Sequence, residues 1–222
     1  MKKAKLLIFD VNETLLDMAS LKSAINSQLE HSFAFDTWFA LLLQYAWVES
    51  LSENYRPFGE IADATLKMTA EKLDRKITQS EIKFLLSIIK TLPPHADVIE
   101  GMAKLKEVHI PMVALTNGSL DVANAQMEFS GLIKFLERVF SVEEVGYFKP
   151  HPSPYLYVLK EMGYSAKETM LVACHPWDLL GAKRAGLKTC LIKREGVPDY
   201  PYSEPFDLEV HNLKEVSKNF KN

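Results

Sequence analysis

The chain has 222 residues, 47% of them hydrophobic and 25% charged, which is ordinary for a soluble protein and enough for a sizeable core. Its formal net charge of -3 supplies no basic face for nucleic acid. Two cysteines, Cys174 and Cys190, follow no paired metal-ligand spacing and are too few for a disulfide framework, so a reducing cytoplasm is the expected compartment. Lys2, Lys3 and Lys5 precede an apolar run that lasts only from Leu6 to Phe9, too short for a signal peptide or a membrane span. That run reads as a buried strand ending on Asp10, with Val11, Asn12, Glu13 and Thr14 directly after it. Ligands of open α/β sheets bind beyond the carboxyl ends of the strands, so Asp10 stands where chemistry is done. The plainer alternative is an aspartate that merely ends a strand or caps the next segment.

From Leu16 to Pro93 helical spacing dominates and no strand pattern alternates. Asp36 is the expected N-cap of a helix carrying Trp38, Phe39, Leu42, Leu43, Ala46 and Trp47. A second helix is expected near Ile61 to Leu73, and a third opens at Ser80 and runs through Ile89. Pro93-Pro94 ends the block. Because this segment departs right after Asp10, it is placed to act as a lid over the strand end, with Trp38, Phe39, Trp47 and Phe58 as its expected aromatic face.

From Pro94 onward helices and strands alternate. Strands are expected at Pro111 to Thr116, Val139 to Ser141, Met170 to Ala173 and Thr189 to Ile192. Helices are expected at Gly101 to Val108, Leu120 to Phe129, Pro154 to Met162 and Leu179 to Ala185. Such alternation implies crossover units and a parallel sheet. The expected fold is α/β, a Rossmann-like doubly wound core formed by residues 1–15 and 94–222 with a helical cap inserted at 16–93.

Three further segments could meet Asp10. Thr116-Asn117-Gly118-Ser119 closes a strand with small polar donors suited to an anion, though such a turn is also an ordinary helix cap. Lys149 sits before Pro150, which stiffens the loop and aims the ammonium. Asp178 follows Cys174-His175-Pro176-Trp177 at another strand end; a helix-dipole charge is its plainer role, and packing is that of His175 and Trp177.

The order of these segments resembles the haloacid dehalogenase superfamily over nearly the whole chain, most closely its L-2-haloacid dehalogenases (type II). Asn12-Glu13-Thr14, Tyr45-Ala46-Trp47, Thr116-Asn117-Gly118-Ser119, Lys149-Pro150 with Tyr155, and Trp177-Asp178 with Gly181-Ala182 carry the likeness. The resemblance implies that Asp10 is a nucleophile oriented by Thr14, with Lys149 and Asp178 positioning the carboxylate and activating water, and with Thr116 and Asn117 holding the substrate carboxylate. It implies substrate contacts from Val11, Asn12, Phe39, Thr116, Asn117, Tyr155, His175 and Trp177. A small-molecule substrate is expected, with neither nucleic acid nor membrane as partner, and a homodimer is compatible.

Phosphatases of the superfamily usually carry a second Asp two residues after the nucleophile as general acid, and bind Mg²⁺. Here Asn12 holds that position, and Asp10, Asn12 and Asp178 would make a thin Mg²⁺ site. Halide leaves unprotonated, so dehalogenation through an aspartyl ester, with no cofactor, is the expected reaction. A Mg²⁺-dependent small-metabolite phosphatase and a retired binding protein are the alternatives. Two positions depart from the dehalogenase pattern. Phe39 stands where the family has an arginine, and His175 where it favours Asn; His175 is the candidate replacement cation.

Overall fold

The computed structural model describes residues 4–220; Lys2, Lys3 and the outermost ends of the 1–15 and 94–222 spans lie outside the described residues. Strand β1 (Leu6–Phe9) is apolar at every position and wholly buried, because helices cover both faces of the sheet. It pairs in parallel with β2 (Met112–Thr116) on one side and β4 (Thr169–Ala173) on the other. With β3 (Arg138–Ser141), β5 (Lys188–Ile192) and β6 (Leu208–Val210) the sheet is six-stranded and all parallel, in the order β3-β2-β1-β4-β5-β6. The winding reverses beside β1, so the crevice at that reversal opens next to Asp10.

After β1 the inserted segment carries four helices, α1 (Ala19–Gln28), α2 (Ala34–Leu51), α3 (Phe58–Lys72) and α4 (Gln79–Ser87), then a 3-10 turn at Ile88–Thr91. This insertion leaves and returns side by side: Leu16 bridges Pro94, and Asp17 N–H donates to the Pro93 carbonyl at 2.8 Å. Helix α2 begins two residues before Asp36, which is therefore not its N-cap but a first-turn charge paired with Lys22 at 2.8 Å. Helix α4 opens not at Ser80 but behind Thr78, whose hydroxyl and the Glu81 carboxylate form a reciprocal capping box.

Helices α5 (Val98–Glu107), α6 (Leu120–Phe129), α7 (Pro152–Met162) and α8 (Pro176–Arg184) pack on the sheet. Ser119 caps α6 through the Val122 N–H, proline opens both α7 and α8, and Gly163 closes α7 in the left-handed conformation at φ 71°. Strand β6 and helix α9 (Leu213–Val216), three and four residues long, have too little periodicity to be read from sequence. No helix among the described residues is long and apolar enough to cross a membrane.

Candidate active site

Three strand ends deliver the charged residues to one point. Asp10 follows β1, Asp178 stands in the first turn of α8 after β4, and Lys149 lies on the loop after β3. All three are buried. Lys149 Nζ donates to Asp10 Oδ1 at 2.8 Å, to Asp178 Oδ2 at 2.7 Å and to the Leu115 carbonyl at 3.0 Å. All three ammonium N–H bonds are thereby used. The loop is held from both sides. Asn117 Oδ1 accepts the Lys149 N–H at 2.9 Å, and Gly181 lets Pro150 approach α8 so closely that a Cβ there would lie 2.6 Å from the Pro150 carbonyl oxygen.

Two carboxylates sharing one ammonium do not ionise alike. Burial opposes charge on Asp10, but Lys149 and then His175 outweigh it and hold the carboxyl well below the usual range. Burial, opposed by Lys149 and reinforced by the Asp10 charge, pushes Asp178 up. Lys149 stays charged: burial works against it, and the two aspartates raise its pKa. Asp10 is thus the more acidic of the two carboxyls on this ammonium.

Thr14 donates to Asp10 Oδ2 at 2.7 Å and accepts the Cys174 N–H at 3.0 Å, tying the turn after β1 to the end of β4. That turn is pinned further by Arg194, which donates to the Thr14 carbonyl and pairs with Asp97, and by His95 Nε2 on the Glu13 carbonyl at 2.9 Å. Glu13 itself sits at φ 60°, a left-handed conformation that turns the chain sharply away from the strand.

His175 closes the other side of Asp10. Its Nδ1 lies 3.1 Å from Asp10 Oδ2 and its Nε2 2.7 Å from Glu13 Oε2. Burial disfavours the charged ring, but Cys174, Asp10 and Glu13 hold its pKa well above the ordinary value. A raised folded-state pKa contributes stability that is complete below the unfolded value near 6.5 and is lost as pH rises through the folded value. The unfolding free-energy difference between wild type and His175→Asn is therefore expected to shrink from about pH 6.5 upward. Urea titrations across pH 5.5–9 would check it, and a constant difference would show that the ring is not charged.

Above His175 lies a cavity of about 740 Å³. Glu13, Asp36, His175 and Asp199 are among its polar lining, with Phe39, Leu43, Trp47 and Trp177 among its apolar walls. Phe39 faces His175 at 6.2 Å between ring centroids and stacks on Phe35, while Trp177 stacks on His175 at 5.2 Å. Trp47 donates from Nε1 to the Lys149 carbonyl at 3.1 Å and meets Trp177 edge-on. Trp38 is no part of this face; it is buried among α2 and α3, with Nε1 on the Ala62 carbonyl. Phe58 packs instead on Phe148, together with Tyr55, and so seats the helical insertion on the Lys149 loop.

Several residues expected to touch substrate are otherwise engaged. Tyr155 is buried behind Asp178 and donates to its Oδ1 at 2.5 Å; burial and the Asp178 charge raise its pKa well above 10, so the phenol keeps its proton. Asn12 Oδ1 accepts from Gln126 Nε2 at 2.9 Å, and the same amide donates to the Ile89 carbonyl, linking α6 to the insertion. Thr116 Oγ1 accepts the Gly118 N–H at 3.1 Å. The Val11 side chain is buried, and its carbonyl accepts the N–H groups of Leu15 and Leu16.

The Asp10, Asn12 and Asp178 donor set does not fit Mg²⁺. The Lys149 ammonium already bridges the two carboxylates, and the Asn12 oxygen is turned onto Gln126. The cluster of potential ligands that does form among the described residues joins Asp10 to Cys174 and His175, softer donors than Mg²⁺ takes.

Glu13, Cys174, Gln126 and Arg194 were not expected as site residues. Gln126 carried a signal, a polar residue on the buried face of α6 between Ala123 and Met127. Arg194 stands two residues beyond β5, on the same sheet edge as Asp10.

A family model for haloacid dehalogenase-like hydrolases matches residues 4–186. The chain is 28% identical over 215 residues to (S)-2-haloacid dehalogenase 4A of Burkholderia cepacia, covering 94% of this chain and 91% of that one. It is likewise 28% identical to haloacetate dehalogenase H-2 of Moraxella sp. (strain B), covering 88% of each. A crystal structure of a dehalogenase with an intermediate complex superposes with a TM-score of 0.91 at 26% identity, covering both chains entirely.

Proposed function

We propose, since the chain belongs to the haloacid dehalogenase-like hydrolases, that it removes halide from 2-haloacids of S configuration through an ester on Asp10. The carboxylate oxygen attacks C2 in line, halide departs with the bonding pair, and water then cleaves the ester at the carboxyl carbon. Lys149 orients Asp10, Asp178 holds the ammonium, and Tyr155 holds Asp178 in turn. The helical insertion acts as a cap, with Phe39 and Trp47 over the reacting carbon.

The observation that carries this reading is the Lys149 bridge. The ammonium stands between Asp10 and Asp178 where phosphoryl transfer would need a divalent cation, and halide departure needs none. Halide release from 2-chloropropionate in the presence of EDTA is the expected result. Turnover of p-nitrophenyl phosphate that requires Mg²⁺, without halide release, would replace this reading with the phosphatase one. Both thiols are free and buried, which suits operation in the reducing cytoplasm.

Phe39 narrows the substrate question. A charge-assisted hydrogen bond to a carboxylate contributes about 1.5–3 kcal/mol, and a phenyl ring supplies none of it. Phe39→Arg, with Glu13 on the same cavity wall to balance the new charge, is expected to lower KM for 2-chloropropionate roughly 10- to 150-fold. An unchanged KM in the folded variant would mean that the substrate carboxylate binds elsewhere.

A further inference from the structure

We propose that His175, held by Glu13, is the general acid that protonates the departing product oxygen when the Asp10 ester is hydrolysed; this rests on the aspartyl-ester reading above. The two half-reactions differ in what they need. Halide leaves as a stable anion. The alcohol product leaves as an alkoxide, a strong base whose departure at neutral pH calls for a positioned proton.

The two oxygens of Asp10 are not equivalent. Oδ1 faces Lys149, which lies outside the cavity wall, whereas Oδ2 faces His175, which lines it. Oδ2 is therefore the oxygen on the substrate side and the one that bonds to C2. When water attacks the carboxyl carbon, the bond that breaks runs from that carbon to Oδ2, so the leaving oxygen is the atom 3.1 Å from His175 Nδ1. Thr14 also donates to Oδ2, but a neutral hydroxyl is too weak an acid to release its proton there. Lys149 spends all three of its N–H bonds on the far side.

Glu13 is the positioning residue. Its Oε2, 2.7 Å from Nε2, accepts one ring proton and leaves the proton on Nδ1 aimed at Oδ2. Trp177 stacked on the imidazole and Phe39 facing it restrict the ring to that orientation. The proton count closes. Water adds its oxygen to the carboxyl carbon and loses one proton to solvent, and the C–Oδ2 pair passes to Oδ2, which takes the Nδ1 proton as the alcohol leaves. Asp10 is left as a carboxylic acid bearing the second water proton. It returns that proton to Nδ1, restoring the imidazolium and the carboxylate.

The test separates the two half-reactions by rapid mixing of 2-chloropropionate with the wild-type protein, His175→Asn and Glu13→Gln. His175→Asn is expected to release halide in a burst of one per site while the Asp10 peptide gains the mass of the ester. Lactate formation should slow by about 10²–10⁴-fold, with kcat and KM falling together. Glu13→Gln should slow the same step by less and likewise accumulate ester. With 2-chloro-3,3,3-trifluoropropionate, whose product alcohol is more acidic, the loss in His175→Asn should contract. Lactate formation at the wild-type rate in either variant, or an equal slowing of halide and lactate release, would overturn the proposal. No halide and no adduct from the wild-type protein would overturn the ester reading itself, and the proposal with it.

Discussion

Asp10→Asn is expected to bring halide release down to background, a loss of at least about 10⁴-fold, with the fold retained. The carboxamide is a poor nucleophile, and nothing nearby substitutes for it. Asp178 is the other carboxylate on the Lys149 ammonium, but it lies wholly buried with Tyr155 on its Oδ1 and Lys149 on its Oδ2. The variant should fold because Lys149 keeps Asp178 as its ion-pair partner. Activity that returns slowly on storage would mark deamidation back to aspartate. The same residue gives an isotopic test in the wild-type protein. In ¹⁸O water with enzyme in excess, one turnover should place label in the Asp10 peptide and none in the product, because the product oxygen is Oδ2. Label confined to the product would mean that water attacks the substrate directly and that no ester forms.

Lys149→Ala should cost both activity and stability. From the sequence, Lys149 is a loop residue aimed by Pro150, expected to matter for chemistry and little for folding. Its burial between two carboxylates gives it both roles. Removing one partner of a buried ion pair typically destabilises by about 3–5 kcal/mol, because the remaining charge stays buried without compensation. For a chain of this size each kcal/mol moves Tm by about 2–4 °C, so a fall of roughly 6–20 °C is expected. Halide release should fall with it, since Asp10 loses the neighbour that does most to keep it ionised. Adding Asp178→Asn should recover part of the lost Tm by removing one of the two stranded carboxylates, without restoring turnover. A Lys149→Ala protein that melts within about 2 °C of wild type would show that the ammonium is not paired as described.

The parallel core was legible because its signals are local. A four- to six-residue apolar run bounded by polar or turn residues reads as a strand covered on both faces, and longer amphipathic stretches between such runs read as crossover helices. For that reason β2, α6 and β4 lie within about one residue of where periodicity places them. Helix starts were harder in the insertion. Asp36 and Ser80 both have N-cap chemistry, yet packing extends α2 back to Ala34, and the reciprocal bonds of Thr78 and Glu81 set the start of α4.

By itself the sequence determined that an aspartate ends the first strand, that Lys149, Asp178 and a polar turn end later segments on the same sheet edge, and that a helical block intervenes. Those are properties of residue type and order. Which atoms meet was decided only by the tertiary structure, because the deciding hydrogen bonds link residues from 23 to 180 positions apart and have no local signature. Only in the fold does Tyr155 stand behind Asp178 rather than in the pocket. Only there does Asn12 turn onto Gln126, Trp38 sink among the inserted helices, and Glu13 take the left-handed conformation that brings its carboxylate to His175. Each is settled by competition for partners in a buried, crowded volume, where a polar atom left unpaired costs about 1–3 kcal/mol. Such competition exists only once the strands and the inserted helices are in place.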